Sequence, residues 1–170
     1  MLKTVQKRKS EGFTIIEVLI VLAIAGLIMV IVFLAVPALH RSATNNELNT
    51  DANNVLTAVG NYASNNGGTL PTAVTLGSGG DVTVGASGTG INQSNAKVGS
   101  SVSAVTLITG TSGTPITNAQ PVGTIQVVTG TNAVCNSDGT GLSGTGSGRS
   151  YAVLYVGEGQ NSNILKCVGA

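Results

Sequence analysis

Between Val18 and Leu39 the chain runs for 22 residues without a charged or strongly polar side chain. As an α-helix rising 1.5 Å per residue, that stretch is about 33 Å long, enough to cross a hydrocarbon core of about 30 Å. The apolar region of an ordinary secretory signal is about 7–15 residues, and no A-x-A type cleavage site closes the far end, so the segment is expected to be retained. Glu17 stands immediately before it. A carboxylate at that depth is unfavourable in lipid, and ionisable groups inside membrane segments generally carry function.

Charge is distributed to match. Residues 1–12 hold Lys3, Lys7, Arg8 and Lys9 against Glu11, a balance of +3, while the remainder balances to −2, giving the net +1 of the whole. A basic tip beside an apolar segment stays on the cytoplasmic side. Only 9% of residues are charged, and no basic patch beyond the tip favours nucleic acid. With 3% aromatic residues and no Trp, any core must be built from Val, Ile, Leu and Ala.

Helical periodicity continues past His40 and Arg41, which suit interfacial anchors. Leu48, Ala52, Val55, Val59 and Tyr62 recur at steps of four, three, four and three, one face of an amphipathic helix. Asn65-Asn66-Gly67-Gly68, followed by Pro71, is a C-terminal stop. Residues 69–101 are rich in Gly, Ser and Thr and are expected to form a long loop, at most with a small hairpin near Val82 and Val84. Four β-like runs follow, Val102–Thr109, Val122–Thr129, Tyr151–Val156 and Ile164–Val168, separated by Gly, Pro or Asn clusters. They predict an antiparallel sheet with one face on Val55, Val59 and Tyr62. The fold class is therefore α+β: a long N-terminal helix on a small antiparallel head.

Cys135 and Cys167 both lie in the last quarter of the chain. In an exported region a disulfide is the default reading, against two independent buried thiols. No His accompanies them as a zinc ligand, and their spacing is far too long for a CxxC redox motif. Gly141–Gly148 has closely spaced glycines but lacks the Lys-Ser/Thr ending of a phosphate loop. Asp81 and Asp138 sit in Gly-rich loops where solvated aspartates are a better expectation than calcium ligands. Asn92-Gln93-Ser94 fits a glycosylation sequon. No catalytic, cofactor-binding or metal-ligating constellation is readable, and the single His40 lacks a base–nucleophile arrangement.

The stretch SEGFTIIEVLIVLAIAGLI, behind a short basic leader, resembles the N-terminus of type IV pilins and their relatives. The resemblance rests on Gly12, Phe13, Glu17 four residues later, and the unbroken apolar helix, strictly over residues 7–40. It implies a prepilin with a class III signal peptide and no enzymatic activity. The organisation expected is a cleaved cytoplasmic leader over 1–12, a transmembrane and filament-core helix over 13–40, an amphipathic head helix over 41–68, a loop over 69–101, and a sheet with a disulfide-bounded loop over 102–170.

By the same resemblance, Gly12–Phe13 is the bond cut by a prepilin peptidase, Phe13 is then N-methylated, and Glu17 is the assembly glutamate. Gly26 and Pro37 resemble helix breakers, although Gly26 equally suits close helix packing. The implied partners are further copies in a homo-polymer, the peptidase/N-methyltransferase, an inner-membrane platform protein and an assembly ATPase. The precursor would sit in the cytoplasmic membrane, N-terminus inside and head outside, and the polymer would be an extracellular pilus for motility, adhesion or DNA uptake. Near the positive end of the helix dipole, Glu17 would pair with the amine of Phe13, its own or a neighbour's, so that only a correct stagger satisfies it. Rival readings are a pseudopilin of a secretion or competence system, a membrane-anchored binding domain that never polymerises, and a tethered enzyme.

Overall fold

The computed structural model describes residues 12–86, 93–110 and 113–169. Leader residues 1–11 and the sequon residue Asn92 lie outside the described residues. The elements run α1 (Ile15–Asn65), β1 (Ala73–Leu76), β2 (Asp81–Gly85), β3 (Ser94–Lys97), β4 (Ala104–Thr109), β5 (Thr124–Thr129), β6 (Tyr151–Gly157) and β7 (Ile164–Gly169). By compactness the chain divides into two units, residues 1–40 and 41–170.

Within the first unit the helix is continuous through Gly26 and up to His40, and it includes Pro37. The described large apolar side chains of this unit are all exposed, from Phe13 at 89%, just before the helix, to Leu39 at 68%. The helix is long and apolar enough to cross a membrane, with a mean hydropathy of 3.3 over its most apolar window.

The second unit is a head with its own core. Leu48, Ala52, Val55, Val59 and Tyr62 of α1 are buried there, as their spacing predicts. They pack with Val82, Val84, Val98, Ile125, Val127, Val153 and Tyr155. The helix ends where the glycines begin. Gly67 adopts φ 65°, a left-handed conformation that suits glycine, and Gly68 N–H reaches back to Ala63 C=O at 2.7 Å. Asn66 closes a further carbonyl, donating its side-chain amide to Tyr62 C=O at 2.8 Å.

The α+β class holds, with two corrections. The Gly/Ser/Thr-rich span 69–101 is not simply a loop: β1, β2 and β3 form an antiparallel three-stranded sheet in it. These strands have only four or five residues, and β3, Ser94–Lys97, has a single apolar side chain, so composition conceals the sheet. Val82 and Val84 alternate inward on β2 and are fully buried, which is enough to orient the strand.

The second sheet, ordered β4-β5-β6-β7, is mixed rather than antiparallel. β4 pairs with β5 in parallel, from Ala104 opposite Thr124 to Thr109 opposite Thr129. Residues 110–123 between them are long enough to return the chain to the same end, which takes about a dozen residues. The remaining pairs, β5–β6 and β6–β7, are antiparallel.

The central strands β5 and β6 are buried on both faces. Ile125, Val127, Val153 and Tyr155 face the α1 core, while Val128, Ala152, Leu154 and Val156 face outward into a second cluster with Ile116 and Ala133. Ile116, from the stretch between β4 and β5, packs on that outer face and is fixed by Gln126, whose Oε1 accepts the Ile116 N–H at 2.8 Å.

Candidate functional site: the helix start and the braced head

At the helix start, sequence reasoning places Gly12, Phe13 and Glu17 together. Gly12 and Phe13 are exposed and lie outside the helix, which begins at Ile15. Glu17 occupies the first turn. Its Oε2 accepts both the Thr14 backbone N–H and the Thr14 hydroxyl at 2.8 Å, and the Glu17 N–H donates to Thr14 Oγ1 at 3.3 Å. This is a reciprocal capping box, Thr14 at the N-cap and Glu17 three residues on. It satisfies N–H groups that a helix start otherwise leaves orphaned.

Thr14 is the residue that the sequence reading missed. Its signal was legible: Thr-x-x-Glu immediately before an apolar run. The carboxylate therefore already has partners within its own chain. Phe13, Val18, Val21 and Leu22 line a shallow apolar depression of about 340 Å³ with Glu17 at its edge. A Cβ at Gly26 would meet no atom within 4 Å beyond the adjoining residues and backbone of its own helix.

In the head, Cys135 and Cys167 form a disulfide, their Cα atoms 5.6 Å apart. Cys135 forms an isolated bridge with Leu142, and the Cys167 N–H on β7 donates to Gly139 C=O at 2.8 Å. The 135–142 loop is thus bonded both covalently and by hydrogen bond to β7, an edge strand that would otherwise offer unpaired groups.

Gly141–Gly148 is tied down rather than left as a cradle for phosphate. Ser143 and Gly146 donate their N–H groups to Val134 and Thr131 carbonyls at 2.7 and 2.6 Å. Asp138 is engaged by the Thr140 hydroxyl and N–H at 2.6 and 2.9 Å, which hold its carboxyl below the usual range. Asp81 pairs with Lys97 at 2.9 Å on the surface. Asn45 makes a two-point clamp on Glu158, giving its amide N–H to the carbonyl at 2.8 Å and accepting the backbone N–H at 2.7 Å.

Residues 7–33 match the family described as the prokaryotic N-terminal methylation motif. No curated protein and no solved structure gave a significant match to the chain. With the long apolar helix and the α+β head, the motif gives this chain the signature of a type IV pilin-like prepilin with a class III signal peptide. The motif marks a structural class. It implies processing by a prepilin peptidase, assembly in a type IV system and membrane anchoring of the precursor.

Proposed function

We propose that the chain is the repeated subunit of an extracellular type IV pilus. The observation that carries this reading is the exposure of the whole apolar stretch from Phe13 to Leu39 among the described residues. Such a surface is stable in lipid, and equally stable against copies of itself. One segment then serves first as membrane anchor and afterwards as polymer core. A pseudopilin shares the same N-terminal motif, and the disulfide-braced head favours a filament exposed to an oxidising exterior.

In this reading the peptidase cuts Gly12–Phe13, and Phe13 becomes the methylated N-terminus. The new amine lies near Glu17, whose carboxylate already holds Thr14. A carboxylate has two oxygens and accepts several hydrogen bonds, so Glu17 keeps its cap while pairing with the amine of its own or a neighbouring chain. Among apolar helices a carboxylate without a cation is strongly unfavourable. Glu17 therefore selects the stagger between subunits. Gly26 and Pro37 would supply local helix flexibility as subunits pack.

The test is filament yield from cells making Glu17→Ala or Glu17→Asp subunits at normal precursor levels. A large loss with both is expected, and normal yield with both would overturn the role of Glu17 in assembly.

A further inference from the structure

Residues 97–103 carry the chain from the three-stranded sheet to the four-stranded one, and three side chains on one face of α1 hold this strap. Asn54 donates its amide to Lys97 C=O at 3.2 Å, Asp51 accepts the Gly99 N–H at 3.0 Å, and Glu47 accepts the Ser101 hydroxyl at 2.7 Å. The three lie at helical spacing, so they line one stripe. The strap fits closely: a Cβ on Gly99 would collide with the Glu47 carboxylate and press on that of Asp51. Its ends are anchored by Val98 N–H on Gly80 C=O at 2.9 Å and Ser103 N–H on Gly123 C=O at 3.0 Å.

Asp51 is only 5% exposed. A carboxylate buried so far is normally balanced by a cation or by several N–H donors. On its own helix it faces Glu47, of the same sign and one turn away. The strap from Val98 to Val102 has no titratable side chain. Lys97, on β3, directs its ammonium to Asp81 at the start of β2. Tyr155, on β6, is a neutral phenol bonded to Asn49, and burial pushes it further from ionising.

Burial first, and the charge of Glu47 in addition, push the Asp51 carboxyl above its ordinary 3.8, while the Gly99 N–H opposes the shift.

We propose that the strap is an acid-stabilised latch, in which a proton taken up by Asp51 lets the strap lie on α1 without two facing carboxylate charges and so stabilises the head. A protonated Asp51 keeps its carbonyl oxygen for the Gly99 N–H, and its new O–H has the Glu47 carboxylate one turn away as acceptor. The proton thus removes like-charge repulsion and the desolvation of a charge, and this outweighs the weaker bond that a neutral carboxyl makes to the Gly99 N–H. The folded state binds this proton more tightly than the unfolded chain. The contribution is therefore fully present below the unfolded value near 3.8 and is lost as pH rises through the higher folded value. The head would firm where the surroundings turn mildly acidic. The latch lies wholly within the head and is independent of whether the chain polymerises.

The experiment uses the full chain in a non-ionic detergent between pH 7.5 and 4.5. It follows the Asp51 carboxyl carbon-13 shift and the thermal midpoint, in the wild type, Asp51→Asn and Glu47→Gln. Asp51 is expected to titrate above 3.8, and the wild-type midpoint to rise on acidification. Asp51→Asn keeps the carbonyl acceptor, so it should start higher at neutral pH and lose most of that rise. Glu47→Gln should make the rise shallower. An Asp51 titration at or below 3.8, or the same pH slope in wild type and Asp51→Asn, would overturn the latch. If Asp51→Asn does not fold, the wild-type carboxyl titration decides alone.

Discussion

Val21 and Val55 are the same residue on the same helix, yet Val21 is 64% exposed and Val55 is fully buried. Around Val55 the helix alternates apolar positions with Asn, Thr and Asp, and its apolar stripe meets the sheets of the head. Around Val21 it is apolar on every side, and its side chains are exposed. A helix apolar all round finds its partner in lipid or in other helices. The contrast teaches that the two stretches answer to different solvents. One is folded by its own chain, and in the proposed function the other is completed from outside it.

The largest effect expected to sharpen this contrast comes from the disulfide. Reduction, or Cys135→Ser with Cys167→Ser, should lower head stability by about 3–4 kcal/mol on the chain-entropy estimate for a separation of 32 residues. Chemical denaturation of the full chain in detergent measures it, with helix content of residues 15–39 unchanged.

Leu48→Ala should follow, lowering head stability by about 3 kcal/mol, because its side chain is fully enclosed. Leu27→Ala, exposed at 63%, should leave it within about 0.5 kcal/mol in the same assay. Equal losses from the two would break the comparison.

Asn45→Ala removes both bonds to Glu158 and should lower the midpoint by an amount equivalent to about 1–2 kcal/mol. The smallest effect belongs to Thr14→Ala. Losing the cap should weaken the first turn by about 1 kcal/mol, seen as faster amide exchange at Ile15–Glu17 with head stability unchanged.

The parts legible in the sequence were those with a strong period or a sharp chemical signal. The five-position stripe from Leu48 to Tyr62 and the four β-like runs after residue 101 fall where hydrophobic spacing puts them. The glycine stop after Asn65 works as its residues demand. The hairpin allowed near Val82 and Val84 is present as β1–β2, whereas β3 escaped because Ser94–Lys97 has almost no apolar content and is fixed by its neighbour instead.

The parallel β4–β5 pair escaped because strand direction is set by the path of residues 110–123, which composition does not encode. At the helix start, Glu17 was conspicuous for its charge, whereas Thr14 looked ordinary beside it. Asp51 and Asn45 sit among polar positions of an amphipathic helix, and only the fold shows that each holds a distant backbone segment.

In the proposed function, the apolar stretch exposed from Phe13 to Leu39 is completed by other copies after cleavage at Gly12. Mass spectrometry of fibres sheared from the cell surface tests it most directly. The account predicts that this chain dominates the fibres and that its N-terminal peptide begins at methylated Phe13. A chain that keeps residues 1–12 and stays in the membrane fraction, absent from any fibre, would contradict it.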